Sequence, residues 1–326
     1  YVNCDARAVE GLGADETGAV ASPGEESPPT GACDRGGPKE ESPAPVEGPP
    51  ADAWAAWGTC RWRVDPGGTL WIAPAPGQTR GDAGGPSEER VPWRRRRGEV
   101  KAVRVVGTVR LGGDATGLFC GMSRCERMDL AGLDTSRVTD MSRLFDDCGS
   151  LAALDISGWD TSAVRDMRRM FWGCRSLASL DASAWDTSQV TDMERAFERC
   201  SSLASLDVSG WDTSRVRSLR CTFSGCVSLA ALDVSAWDTS QAEDLRGMFC
   251  GCSSLSFLDL SGWDMSGALD VSEMFRSCAG LGRVRLGARF SFRPHELSRS
   301  VWLARLPDPP AGPPYGGGWA MEDGSY

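Results

Sequence analysis

The sequence predicts a repeat solenoid, with one short parallel β-strand plus a short helical or 3-10 turn per 26-residue repeat, capped at both ends. Three observations predict it. Trp159, Trp185, Trp211, Trp237 and Trp263 stand 26 residues apart, each followed by Asp. Phe119, Phe145, Phe171, Phe197, Phe223, Phe249 and Phe275 keep the same step over seven copies. Cys148, Cys174, Cys200, Cys226, Cys252 and Cys278 keep it over six. A strict period of this length, free of insertions, marks an array in which each repeat buries its apolar side only against its neighbours.

Within one copy, residues 151–176, Leu154 and Ile156 alternate with Asp155 and Ser157. That alternation is a short strand with its apolar side chains inward and Asp and Ser outward. Asp160, Thr161 and Ser162 then supply side-chain oxygens that can bond nearby backbone N–H groups, as turns and helix N-caps require. Val164, Met167, Met170 and Phe171 follow at steps of three, three and one, a short helical or 3-10 segment facing the same interior. Gly173 precedes the Cys and can end it. Stacked turns about 4.8 Å apart would set Trp on Trp, Phe on Phe and Cys on Cys.

Four sections follow along the chain. Residues 1–53 are acidic and rich in Pro, Gly and Glu, with ten acids against three bases in the first fifty residues, too few large apolar side chains to offset the entropy of ordering. They are expected to be disordered. Residues 54–111 form a β-rich N-terminal cap, with strands near 68–72 and within 100–111. Residues 112–286 form a leucine-rich-repeat-like solenoid of about seven turns. Its ends depart from the pattern, since Met122 stands where Cys is expected, Leu133 where Trp is expected, and Arg285 replaces the strand Asp. Residues 287–326 form a C-terminal cap and tail over the last turn.

Composition argues against several functions. The net charge is −10, and the one dense basic run, Arg94-Arg95-Arg96-Arg97, has only Trp93 as an aromatic neighbour, which argues against nucleic-acid binding. No window of eighteen or more apolar residues is present, so no segment reads as a membrane-spanning helix. His295 is the only histidine, and it lies in the expected C-terminal cap, so a Ser/His or Cys/His nucleophilic site would have to use it. The carboxylates come as equal ladders rather than as one special pair. The chain therefore reads as a non-enzyme without cofactors. The regularly spaced cysteines read as buried free thiols; Cys250-Gly251-Cys252 is too tight for a usual zinc half-site. Cys4, Cys33, Cys60, Cys120 and Cys125 fall outside the period.

Two aspartate ladders have different readings. Asp160, Asp186, Asp212, Asp238 and Asp264 begin the Thr-Ser turn and cap it; calcium would need more oxygens per site than the spacing offers. Asp155, Asp181, Asp207, Asp233 and Asp259 point out from the sheet beside Ser157, Ser183, Ser209, Ser235 and Ser261. Their neighbours Gly158, Ala184, Gly210, Ala236 and Gly262 are small. This strand face is the candidate ligand-binding surface, a flat acidic strip suited to a basic partner, with a solvated face as the alternative. The Trp row, set beside Leu and Val after the strand, reads as core rather than as a sugar-stacking surface.

The run Leu-x-x-Leu-Asp-x-Ser, Trp-Asp-Thr-Ser, Met-x-x-Met-Phe-x-x-Cys-x-Ser resembles the BspA-type leucine-rich-repeat surface proteins of bacteria. Trp57-Gly58-Thr59-Cys60-Arg61-Trp62, Gly68-Thr69-Leu70-Trp71-Ile72 and Pro92-Trp93 are similar to the segment before the repeats in that family. Leu286-Gly287 with Phe290 and Phe292, then Tyr315-Gly316-Gly317-Gly318-Trp319, is similar to the segment after them. The resemblance covers residues 54 to 320. It implies an extracellular or cell-surface protein that binds proteins or glycoconjugates of a host or neighbouring cell, without nucleic acid. The alternative is a structural spacer with no ligand of its own, a reading that the near-identity of the copies suits. Tyr1 to Tyr326 show neither a signal peptide nor a wall-sorting motif, so export is implied by the resemblance alone, and the gene upstream of Tyr1 is expected to decide it.

Overall fold

The computed structural model describes residues 53–85 and 91–290, together with the backbone of the strands Val2–Cys4 and Trp319–Met321. Apart from those strands, the expected disordered segment 1–53 and the tail beyond 290, with His295, lie outside the described residues. The chain winds into a β-solenoid of about eight turns. It opens with an antiparallel cap, in which Ala55–Trp57, Cys60–Val64 and Thr69–Pro74 pair in succession. Thr69–Pro74 then begins the parallel run, followed in order by Ala102–Val105, Arg127–Asp129 and Ala153–Leu154. Ser179–Leu180 pairs with Ser205–Leu206, and Phe257–Leu260 with Arg283–Leu286, each offset by one repeat.

The strands of the middle turns are two residues long, shorter than the alternating pattern suggests. A local turn follows the strand: Asp155 Oδ1 accepts both the amide of Ser157, at 3.2 Å, and its hydroxyl, at 2.8 Å. The same bond from the residue two positions on recurs at Asp160, where Ser162 N donates at 3.0 Å, and at Asp166, where Arg168 N donates at 2.9 Å. The aspartates of each repeat thus mark its corners.

The segment expected as a helical or 3-10 turn keeps the i→i−3 bonds of such a turn: Met170 N donates to Met167 O and Trp172 N to Arg169 O. Between them, alternate amides reach the next turn. Met167 N, Arg169 N, Phe171 N and Gly173 N donate to the carbonyls of Asp192, Glu194, Ala196 and Glu198 at 2.8–3.0 Å. Both patterns coexist because two residues per repeat take positive φ, as at Arg169 (55°) and Gly173 (72°). These left-handed positions break the 3-10 path into successive β-turns and aim every second N–H along the solenoid axis.

The core lies inside this wall of turns. Phe119 to Phe275 form one stack begun by Trp93, with centroids 5.2–6.3 Å apart and planes within 17° of parallel. Each such contact adds roughly 0.5–1.5 kcal/mol to what burial alone gives. The Trp row is core as expected, with Trp159 at 7% exposure and Trp263 at 0%. It stacks ring on ring only from Trp185 through Trp211 to Trp237, at 6.0 and 6.2 Å; Trp159 stacks on Phe145.

Two columns of buried polar side chains find their partners in a neighbouring turn. Cys148, Cys174, Cys200, Cys226, Cys252 and Cys278 are free thiols, and each Sγ donates to a Phe carbonyl of the preceding turn at 2.9–3.2 Å. Thr135, Thr161, Thr187, Thr213 and Thr239 donate their hydroxyls to the carbonyls of Asp160, Asp186, Asp212, Asp238 and Asp264 at 2.9–3.0 Å. These columns tie each turn to the next with bonds that water cannot replace.

Candidate binding face

The outward positions of the parallel run hold the candidate face. The strand residue before each inward Leu is small in four successive turns: Ala153, Ser179, Ser205 and Ala231. Phe257 and Arg283 continue the column, and the Arg283 guanidinium lies 4.5 Å from the Phe257 ring. Small side chains sink the surface there. A shallow groove of about 970 Å³ results, floored by Ser179, Ser205, Ala231 and Phe257 and rimmed by Asp181, Asp207, Asp233 and Asp259.

Six of the ten sequence-derived positions, Asp181, Asp207, Ser209, Asp233, Ser235 and Asp259, line this groove, and Asp155, Ser157, Ser183 and Ser261 lie outside its lining. Asp155, Asp181, Asp207 and Asp233 are exposed, and Asp259 is half-buried. Ser157, Ser183, Ser209, Ser235 and Ser261 each donate amide and hydroxyl to the Asp two residues earlier, the hydroxyls at 2.6–2.8 Å. The serines are thus spent on holding the carboxylates through Oδ1, and at Asp259 the other oxygen, Oδ2, accepts from Arg285 at 3.1 Å. Hydrogen bonds from Ser157, Ser183 and Ser209 hold the carboxyls of Asp155, Asp181 and Asp207 below the usual carboxylate range. For Asp259, partial burial works the other way, and the bonds from Ser261 and Arg285 outweigh it.

Among the described residues, Asp155, Asp181, Asp207 and Asp233 have no ion pair; the row ends at Asp259, which Arg285 meets at 3.1 Å. The turn side of the solenoid differs. A cavity of about 480 Å³ there is lined by Arg143, Arg168, Arg169, Arg195, Glu194 and Ser142. Its cations are matched: Arg143 and Arg169 each reach the fully buried Asp146 at 3.0 Å, Arg168 reaches Asp166 at 2.6 Å and Arg195 reaches Glu194 at 3.2 Å. Burial pushes the Asp146 carboxyl up, against the pull of Arg169 and Arg143. The strand face keeps its charge unbalanced where the turn face does not.

The second ladder, from Asp160 to Asp264, caps the Thr-Ser turn: Asp160, Asp186, Asp212, Asp238 and Asp264 each accept the amide of the Ser two residues on, at 2.9–3.0 Å. Among the described residues, no group of three or more His, Cys, Asp or Glu side chains is placed to hold a metal ion. Cys120 is disulfide-bonded. Among the described residues, no helix is long and apolar enough to cross a membrane.

What the sequence pattern did not expose is the groove floor. Its residues are the unremarked x positions of Leu-x-x-Leu, and their outward direction was legible from strand alternation alone. Their sinking below the Asp rim was not, because it depends on several turns standing side by side.

A family model described as a Mycoplasma protein of unknown function, DUF285, matches residues 114–205 and 192–283, over half of the chain. The chain belongs to the DUF285 family. The matched span runs from the first Asp of the turn-side bridge column, Asp114, to the start of the last parallel strand, Arg283–Leu286, so the match lies within the solenoid. No curated protein matches the chain. Among solved structures, a leucine-rich repeat protein from Eubacterium ventriosum is 14% identical, covering 72% of this chain and 85% of its own, with a TM-score of 0.21. A leucine rich cell surface protein from Faecalibacterium prausnitzii is 14% identical, covering 72% and 94%, with a TM-score of 0.22. Likenesses this distant carry no weight for what a DUF285 solenoid binds.

Proposed function

We propose that this chain is a non-enzymatic surface or secreted protein that binds a basic segment of a partner protein along its strand face. The observation that carries the reading is the row Asp155, Asp181, Asp207 and Asp233, four outward carboxylates without an ion pair among the described residues, beside a groove floored by small side chains. Like charges one strand spacing apart, about 4.8 Å, repel one another. A partner bringing Lys or Arg side chains relieves that repulsion, and the groove gives its backbone room to approach. The similarity to BspA-type surface proteins supports export and adhesion to a host or neighbouring cell.

The double substitution Asp207→Asn and Asp233→Asn tests this. Asparagine keeps the oxygen that accepts from Ser209 and Ser235, so the turns persist while the charge is lost. Capture of partner proteins from a panel of host surface proteins is expected to weaken at least tenfold at low salt. Undiminished capture would remove the strand face from consideration.

A spacer is the second reading, and one observation favours it. The Asp–Ser geometry is the same in five turns, with hydroxyl bonds of 2.6–2.8 Å throughout, whereas a binding surface often individualises some of its repeats. Failure of the unmodified protein to capture any member of the panel would favour the spacer.

A further inference from the structure

The N-terminal cap carries a second charged surface on the same side of the sheet. Arg63 stands opposite Trp71, and Trp71 opposite Arg104, on three adjacent strands. Arg61 lies two residues from Arg63, so both project to one face of Cys60–Val64. The side chains interleave. The Arg61 guanidinium is 4.3 Å from the Trp54 ring, Arg63 is 5.0 Å from Trp54 and 6.0 Å from Trp71, and Arg104 is 5.7 Å from Trp71. Arg127, exposed on the following strand, extends the series.

These cations lack close ion pairs, although the Arg63 charge helps to hold the Asp65 carboxyl down. Among the described residues, Arg61, Arg63, Arg104 and Arg127 form no ion pair, and the buried Nε atoms of Arg61 and Arg63 have no hydrogen-bond partner. Two carboxylates flank the row. Asp65 is already engaged, accepting Trp71 Nε1 and Thr69 N, each at 2.8 Å. Asp129 stands opposite Arg104 in register without closing on it. Stacking on indole restrains the Arg61, Arg63 and Arg104 guanidiniums at little entropic cost, and Arg104 and Arg127 are exposed to solvent.

We propose that this row binds an acidic polysaccharide through its carboxylate or sulfate groups. Guanidinium edges match such groups with paired N–H···O bonds. The indole faces are taken up by arginine, so the surface offers neither a bare platform for a neutral sugar nor the unoccupied apolar anchor that protein partners usually fill. Regularly spaced anions on a flexible chain need only the fixed donors that this row supplies. The site is separate from the acidic strand-face row, and the two readings stand or fall independently.

The test uses the full chain and a heparin-derived oligosaccharide, with poly-glutamate as the peptide control. Arg104→Gln with Arg127→Gln removes two exposed cations and leaves the stack on Trp54 intact. Arg95→Gln with Arg137→Gln, two exposed arginines elsewhere, is the charge-matched control. At near-physiological salt the first pair is expected to weaken oligosaccharide binding at least tenfold and the control pair less than twofold. Asp207→Asn with Asp233→Asn should not weaken it. Arg63→Lys, which keeps the charge but loses the planar fork, should weaken it several-fold while circular dichroism and melting stay unchanged. Equal loss from the control pair, no binding by the unmodified protein, or tighter binding of poly-glutamate would each overturn the proposal.

Discussion

The thiol of Cys200 lies 3.1 Å from the carbonyl oxygen of Phe171 in the preceding turn, so the two most regular core columns, Cys and Phe, are joined by hydrogen bonds as well as by packing. Each Cys fills a site where a small apolar group must also donate. Cys200→Ala should remove the donor and open a small void, costing about 1–2 kcal/mol in denaturant unfolding. Burial also pushes the Cys226 and Cys278 thiols up to about 12. The periodic thiols should therefore resist alkylation at pH 8 in the folded protein and react at once in denaturant; fast labelling of all six without unfolding would contradict the buried column.

Thr187 donates to Asp212 O at 3.0 Å from a position 1% exposed. Thr187→Val preserves shape and deletes that bond, leaving a carbonyl in a dry wall with one partner fewer. A loss of about 1–2 kcal/mol is expected. Thr191 makes a similar bond to Arg165 O at 3.1 Å but is exposed, so Thr191→Val should cost less than half as much. Equal costs would show that burial does not set the value of the bond.

The second left-handed position of each repeat is Gly in some turns and another residue in others. Gly225 has φ 75° and Ser277 has φ 60°. Gly225→Ala has space, since the nearest atom would lie 3.5 Å from the new Cβ, so its cost should be conformational only, about 1–2 kcal/mol. Ser277→Gly, at an exposed site, should be neutral or stabilising by up to about 1 kcal/mol, despite the added freedom of the unfolded chain. Thermal melts of both variants check the pair.

Asp192 sits in the turn-side aspartate column beside Asp166, and burial, with the neighbouring charge, pushes its carboxyl up to about 6. Because the folded value lies above the unfolded one, the ionised group costs stability at pH above 6, and the cost fades as pH falls through 6 toward 4. Asp192→Asn retains an acceptor for Glu194 N. It should stabilise the fold at pH 7.5 by up to about 1 kcal/mol, with the gain shrinking at pH 4.5. A gain that grows on acidification would reverse the sign of this account.

Much of the architecture was legible along the chain because a solenoid repeats its reasons. One copy, residues 151–176, already contains the inward Leu and Ile, the Asp-Thr-Ser turn and the Phe and Cys of the core. Trp as core followed from its place in that phase, and the ten Asp and Ser positions of the candidate face followed from strand alternation. The turn segment was harder. Arg169 gives no hint of positive φ by residue type, and the left-handed geometry arises because its N–H must reach Glu194 in the next turn. The Trp54–Arg61–Arg63–Trp71–Arg104 row was hidden for a related reason: its members come from separate strands whose register no period announces.

What the sequence by itself determined is the repeat length, the inward and outward sets and the capping aspartates, because each depends on neighbours within a few residues. What only the tertiary structure decided is which atoms meet between turns. The thiol on a Phe carbonyl, the Thr hydroxyl on an Asp carbonyl, the unmatched carboxylates along the groove and the unmatched guanidiniums of the cap all depend on distances between residues about one turn or more apart. Those distances exist only once the chain has stacked on itself.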